Sequence, residues 1–450
     1  MKRRAILAAA VVYSTFVSPS HAQEQAESTQ MIVRTSDLDG TVAGLIKMTC
    51  SDVSTFDLGL SMSLLDCELK PGISDAELAL QLSNDSNVQW YEKDEKAMVV
   101  EKQHVTRALH LAQQQSAAAQ TPDLHWNIES FGFREAWKHS KGAGASVAVL
   151  DSGITAHPAL ETAAAPGVDV IAKPANSRDG DGRDNDPTDP GNWTEVGQCG
   201  NDDFIPSTFH GTMVAGAVAD SGSNPFGVIG TAPEARIVPV RIAGPCGAAV
   251  SDMISGILWS AGYEVEGVTT RDTPVDVINI SYALRKECSP GLQEAIDAAR
   301  QKGVSIVTSA GNYSEDAALY SPGNCQGVIN VGATNLELGQ AKTSNGGEAV
   351  AIYGPGGDYA DDVAVATTEG QRGPEQFSYR YRGGTSIAAP HVAGALALLK
   401  SHYPNTPTEA LEQALLKSAT AIAGIKVLNV GNAFTILPEA ESPSGSSLSS

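Results

Sequence analysis

Basic residues are scarce in this chain: 30 Lys and Arg stand against 52 Asp and Glu, a formal charge of −22 over 450 residues. A surface of that sign repels phosphate backbones and anionic lipid, which argues against nucleic-acid and membrane-surface partners. No apolar run reaches the ~20 residues that a spanning helix needs. A Cys-x-x-Cys pair is absent too, so zinc binding and dithiol redox chemistry are disfavoured. The 44 glycines follow no period, which excludes a collagen-like fibre. What remains is ordinary globular composition, 42% apolar, with length enough for about three domain-sized units at ~150 residues each.

The chain opens with Lys2, Arg3 and Arg4, an apolar run from Ala5 to Val17, and small residues at Ser20 and Ala22. That order reads as a secretory signal, residues 1–22, cut after Ala22. The expectation is an exported, soluble monomer, extracellular, with periplasmic transit if the source is Gram-negative. Six cysteines in an oxidising space favour disulfides, and six allow 15 pairings. Neighbours in order (Cys50–Cys67, Cys199–Cys246, Cys288–Cys325) are preferred, because Cys50 and Cys67 share a separable segment.

Residues 23–120 form that segment with its linker. Met31–Val33, Val88–Tyr91 and Ala97–Val100 read as strands. Ser74 caps a helix with Asp75 and Glu77 in its first turn and an apolar face of Leu78 and Leu82, with Leu80 beside them. Together they make a small α+β unit, followed by a low-complexity run from Gln113 to Gln120. Residues 121–437 alternate differently. Ser146–Leu150, Ile237–Ile242, Val275–Ile280, Val304–Thr308 and Val328–Val331 read as buried strands. Gly211–Ala219, Ser251–Ala261 and Leu292–Lys302 read as helices between them. The pattern predicts an α/β fold, a doubly wound, mostly parallel sheet with helices on both faces. Residues 438–450 are a Ser/Pro-rich tail.

Functional groups gather at the carboxyl ends of such strands. Asp151 closes the first, followed by Ser152-Gly153; His210 opens a helix of small residues; Ser386 opens another that is apolar nearly all round, with Pro390 placed in its first turn. Asp, His and Ser at three segment ends suggest an acyl-transfer triad. Ser386 attacks a carbonyl, His210 takes and returns the proton, and Asp151 holds the imidazole. Asn312, at a glycine turn after Ser309-Ala310-Gly311, supplies an amide for the oxyanion, beside the backbone N–H of Ser386. His391 lies beyond the same helix start and is read as a packing residue.

Asp151-Ser152-Gly153, His210-Gly211-Thr212, Ser309-Ala310-Gly311-Asn312 and Gly384-Thr385-Ser386 with Ala388-Ala389-Pro390-His391 resemble the signatures of the subtilisin-like serine peptidases, in the same order. The resemblance spans roughly residues 121–437. It implies a subtilisin-like fold and a secreted serine endopeptidase made as an inactive precursor, acting on polypeptides. Val88-Gln89-Trp90-Tyr91-Glu92-Lys93-Asp94 resembles the family's pro-domain, implying that residues 23–120 inhibit and help fold the enzyme. By the same resemblance an extended peptide adds to the edge Ser281-Tyr282-Ala283-Leu284. The family usually has two glycines where Ala283 and Leu284 stand. A narrowed apolar pocket follows, walled by Ser281, Tyr282 and Ala283 and by Ser309, Ala310 and Gly311, favouring small or medium apolar side chains.

The acidic run from Asp179 to Asp189 carries oxygen ligands at near-alternate positions, which suits structural Ca2+ at Asp179, Asp181, Asp184 and Asp186. It is not an EF-hand, since Arg183 interrupts it, and a solvated acidic loop accounts for the composition as well. No cofactor is needed for the chemistry itself. Two other readings use the same residues: an esterase-type acyl hydrolase, and a non-catalytic binding protein on this scaffold. The esterase is disfavoured because Ser comes last in the chain, outside a Gly-x-Ser-x-Gly elbow.

Overall fold

A computed structural model describes residues 28–97, 124–359 and 361–437. The expected signal segment, the Gln-rich linker and the Ser/Pro-rich tail lie outside the described residues.

The N-terminal unit is α+β. Its strands β1 (Ser28–Thr35), β2 (Cys50–Gly59), β3 (Met62–Leu69) and β4 (Val88–Lys93) form one antiparallel sheet, ordered β2-β3-β1-β4. Helices α1 (Leu38–Met48) and α2 (Asp75–Asn84) cover one face. Ser74 and Glu77 close a reciprocal capping box at the start of α2, which satisfies two amides that a helix start leaves open. Leu78 and Leu82 are buried in this unit's core, whereas Leu80 is 60% exposed, because it falls on the outer face of the turn. The expected strand over Ala97–Val100 is described only as β5 (Lys96–Ala97); residues 98–100 lie outside the described residues.

Alternation in β1 divides two cores. Met31 and Val33 pack under the unit's own helices, while Ile32, with Leu58, Met62 and Leu64, packs against the larger domain. Two-sided burial explains why Met31, Ile32 and Val33 of β1, and Leu64 and Leu65 of β3, are apolar in succession and do not alternate with polar residues.

The larger domain is built on nine strands: β6 (Ser146–Asp151), β7 (Val168–Asp169), β8 (Arg236–Arg241), β11 (Val277–Ile280), β13 (Ser305–Ser309), β15 (Ile329–Thr334), β16 (Ile352–Pro355), β19 (Thr420–Ile422) and β20 (Ile425–Val427). Their order is β19-β20-β16-β15-β13-β11-β6-β8-β7, parallel throughout except for the β19–β20 edge pair. The α/β expectation holds, with strand ends displaced by one to three residues. Val147 and Val149 face one core and Ala148 and Leu150 the other, so each strand is buried on both faces. On the first side lie α3 (Trp126–Glu129), α4 (His210–Ala219) and α7 (Thr385–His402); on the second lie α5 (Val250–Ser260) and α6 (Pro290–Gln301). The sequence reading did not include β16, the hairpin β17 (Val363–Thr368) with β18 (Phe377–Arg382), or α8 (Thr408–Ser418).

Short strands complete the frame: β9 (Ala243–Gly244) and β10 (Gly247–Ala249) pair with each other, and β12 (Leu284–Arg285) pairs with β14 (Tyr320–Ser321). Disulfides join Cys50 to Cys67, Cys199 to Cys246 and Cys288 to Cys325. Among the described residues no helix is long and apolar enough to cross a membrane.

Candidate active site

Three candidate residues stand at element ends. Asp151 is the last residue of β6, His210 the first of α4, and Ser386 the second of α7. The Nδ1 atom of His210 lies 2.9 Å from both carboxylate oxygens of Asp151, and both side chains are buried. Asp151 also accepts the Ser152 amide at 2.7 Å. With Nδ1 held by a carboxylate, the imidazole keeps its proton there and presents Nε2 as the basic nitrogen.

Backbone proximity makes this possible. A Cβ on Gly211 would lie 2.0 Å from the Gly153 carbonyl oxygen and 3.2 Å from Cβ of Asp151. Only glycine lets the start of α4 approach the end of β6 so closely.

Ser386 is tied to Ser281 by two reciprocal contacts. The Ser386 hydroxyl is directed at the Ser281 carbonyl, 3.3 Å away, and the Ser281 hydroxyl donates to the Ser386 carbonyl at 3.0 Å. The helix begins at Thr385, so Pro390 stands in its second turn, not its first. Proline lacks the N–H that would reach back four residues. The carbonyl it leaves open is that of Ser386, and Ser281 fills the vacancy.

Asn312 is oriented by Thr385. Its Oδ1 accepts the Thr385 amide at 2.9 Å and the Thr385 hydroxyl at 3.0 Å. The amide's donor end is therefore turned away from Thr385, toward the opening beside Gly384. As second residue of α7, Ser386 has an amide without an intrahelical acceptor. His391 plays no part in that opening. Its ring contacts the Ile387 carbonyl at 2.7 Å and Asn127 at 2.9 Å, and complete burial pushes its pKa down to about 4. It is a neutral link between α7 and α3.

Of the residues expected around a substrate, Ser281, Tyr282 and Ala283 follow β11, and Ser309, Ala310 and Gly311 end β13. All six are buried, and the Tyr282 ring stands edge-on to His210 at 5.8 Å. Ala283 and Gly311 face each other: a Cβ on Gly311 would sit 3.7 Å from that of Ala283. Leu284 belongs to β12 instead and pairs with Ser321, so the expected edge ends one residue earlier. A cavity of about 1200 Å³ opens beside Asn312 and Gly384, lined also by Phe204, Asp362 and Arg382.

An edge that the sequence reading missed is β10. Its Ala248 and Ala249 pair antiparallel with Ala97 and Lys96 of β5, so the N-terminal unit supplies an added strand there. Two carboxylates from the same unit close helix starts in the larger domain. Asp94 accepts the Ser251 amide at 3.0 Å and the Ser251 hydroxyl at 2.7 Å, and Glu92 accepts the Gly291 amide at 3.2 Å. Ala249, at the N-cap of α5, has no side-chain cap of its own. Gly247-Ala248-Ala249 carries no β-branched residue, and its one signal in the sequence is the position directly after Cys246.

The proposed calcium ligands do not form a site. Among the described residues no group of three or more His, Cys, Asp or Glu side chains could hold a metal ion. Asp179 is turned to the Arg241 guanidinium at 2.7 Å and to the Ser177 hydroxyl at 2.6 Å. A cation already stands where Ca2+ would have to bind. Asp184 and Asp186 accept local amides, those of Asp186 and Thr188. Asp181 adds only its backbone carbonyl, to Ser177.

The subtilase family profile matches residues 142–434. An extracellular protease of Xanthomonas campestris pv. campestris is 37% identical over 351 residues, 77% of this chain and 58% of its own length. An extracellular basic protease of Dichelobacter nodosus is 40% identical over 268 residues, 58% of this chain and 43% of its own. The chain thus spans about half the length of these curated relatives. A solved protease structure from Pseudoalteromonas arctica superposes with a TM-score of 0.67 at 36% identity, covering 70% of this chain and 97% of that one. Fervidolysin from Fervidobacterium pennivorans shares the fold, with a TM-score of 0.68 at 20% identity, covering 93% of this chain and 62% of that one.

Proposed function

The chain belongs to the subtilase family, and from that premise we propose that it is a secreted serine endopeptidase working through Asp151, His210 and Ser386. The observation that carries the reading is the buried Asp151–His210 pair at 2.9 Å, with Ser386 at the start of a helix packed against the one that His210 opens. The Ser386 hydroxyl leaves the Ser281 carbonyl by rotation about one bond and turns to Nε2 of His210. His210 removes its proton as Oγ attacks the substrate carbonyl carbon. Asp151 stabilises the imidazolium that forms. The oxyanion is received by Nδ2 of Asn312 and the Ser386 amide. His210 then protonates the leaving amine, and water, activated by the same base, hydrolyses the acyl-enzyme.

Substrate adds as an extended strand against β10 and the segment from Ser281 to Ala283. The first pocket lies between Ala283 and Ala310-Gly311 and takes small or medium apolar side chains. Residues 23–120 act as a pro-domain. Support comes from β5, which already occupies β10, and from Asp94 and Glu92 on two helix starts. The enzyme is therefore made as an inactive precursor and released by cleavage in the linker.

Labelling with a fluorophosphonate and digestion of casein test the reading together. Ser386→Ala should lose both, activity falling on the order of 10⁶-fold, and should accumulate as uncleaved precursor. Asn312→Ala should keep labelling but slow turnover by roughly 10²–10³-fold. Labelling without peptide cleavage would instead favour an esterase, and neither signal in the unaltered chain would leave a binding protein.

A further inference from the structure

Asp189 ends the acidic run, and no step above uses it. It is 1% exposed. Its Oδ2 accepts the Ser152 hydroxyl at 2.7 Å and its Oδ1 accepts the Gly191 amide at 2.8 Å. The Ser152 hydroxyl oxygen accepts the Gly211 amide at 3.1 Å. Ser152 directly follows Asp151, and Gly211 directly follows His210. One hydroxyl therefore bridges the two chains that carry the pair.

A hydroxyl has a single hydrogen to give. Because Asp189 takes it, the lone pairs of Ser152 are free to receive the Gly211 amide. Were Asp189 unable to accept, the hydroxyl would lose the partner that fixes its orientation. The backbone reinforces the link: the Asp189 amide donates to the Ile154 carbonyl at 3.0 Å, and the Ile154 amide donates to that of Pro187 at 3.1 Å. A Cβ on Gly153, where φ is +92°, would lie 2.4 Å from the Pro187 carbonyl oxygen. The acidic run is thus laid directly along the chain leaving Asp151.

Two charged groups act on it, Arg241 and Asp151. Arg241, the register partner of Asp151 across β6 and β8, is paired with Asp169 and Asp179, and Asp151 itself lies close by. Burial lifts the Asp189 carboxyl to about 6, against the pull of Ser152, Gly191 and Arg241, with Asp151 adding to the rise.

We propose that Asp189 is a positioning residue for the Asp151–His210 pair, acting through the Ser152 hydroxyl, and that the acidic run is built to serve this pair. The proposal rests on the hydrolase reading. Its test compares the full chain with Asp189→Asn, Ser152→Ala and the double variant, each normalised to reactive Ser386. Each single change should lower kcat about tenfold with KM within twofold. The double variant should be no worse than either single, since both break one chain of contacts. In Asp189→Asn the acid limb of kcat/KM should move to lower pH, because a negative charge that favours the imidazolium is gone.

NMR titration of the His210 imidazole, in a Ser386→Ala background, follows the same shift without turnover. An inactive native chain whose imidazole titration still moves in Asp189→Asn would sink the hydrolase reading and leave the positioning role standing. A lowered Tm with kcat, acid limb and imidazole titration all unchanged would overturn the proposal. So would additive losses in the double variant, or failure of both single variants to fold, either of which assigns these contacts to stability alone.

Discussion

Pro390 and Ser386 stand four residues apart in α7, the interval of a helical hydrogen bond. The missing proline amide and the Ser281 hydroxyl are therefore alternatives for one carbonyl. Ser281→Ala should leave the buried Ser386 carbonyl without a donor and cost roughly 1–3 kcal/mol. In a Pro390→Ala background the restored amide can take over, and the cost of Ser281→Ala should fall to half or less. Equal losses of Tm in both backgrounds would show that the exchange does not operate. The candidate residues themselves were legible, because Asp151, His210, Asn312 and Ser386 each sit where a periodic segment begins or ends. The partner of Ser386 was not, since Ser281 is 105 positions away and spacing is silent on that contact. For the same reason the carboxylates of the acidic run could be counted but not assigned: what Asp179 faces, Arg241, is 62 positions on.

Among the elements, α5 and α6 begin in unlike ways. Ser289 caps α6 by accepting the Leu292 amide at 3.4 Å, and Glu92 adds to it, whereas α5 starts at Ala249 and depends on Asp94. Loss of a side-chain cap costs about 1 kcal/mol. In the uncleaved Ser386→Ala chain, Asp94→Ala should speed hydrogen exchange at the Ser251 amide about fivefold and lower Tm. An unchanged rate at Ser251 would mean the cap contributes nothing. Strands with a β-branched run, such as β8 and β11, could be read from the chain alone, and so could the Ser74 cap of α2. The strand β10 could not, because a Gly-Ala-Ala run has no strand preference of its own and pairs only where β9 and β5 flank it. The hairpin of β17 and β18 was also unread; its pairing lies off the main sheet, where the alternation of strands with helices gives no guide.

For the molecule as a whole, buried acids set the response to pH. Burial lifts the carboxyl of Asp252 to about 7, with Asp94 adding to the rise and Arg183 and Lys96 opposing it. Asp220 and Asp362 are lifted to about 6, again by burial. A folded-state value above the unfolded one, about 3.9, means that the folded chain holds its proton longer. Stability is then greatest below about pH 4 for these groups and declines as pH rises through 6 to 7. The general repulsion among 52 acidic residues works in the same direction. Calorimetry of the Ser386→Ala precursor should show Tm falling from pH 5 to pH 8, and Asp252→Asn should flatten the upper part of that fall. Identical slopes in the two chains would remove Asp252 from the account. The two-sided parallel sheet was legible at this scale because its strands are apolar on both faces. How the N-terminal unit sits on it was not, because Ile32 and Leu64 look like any other core residues. That seating has a last consequence. The opening turn of α5 is completed by a residue from the far side of the linker. If the leading segment is cut off and lost, the acceptor that caps Ser251 goes with it, and α5 of the remaining chain begins without that partner. A chain shortened in this way should rely more on slow unfolding than on ready refolding to keep its structure.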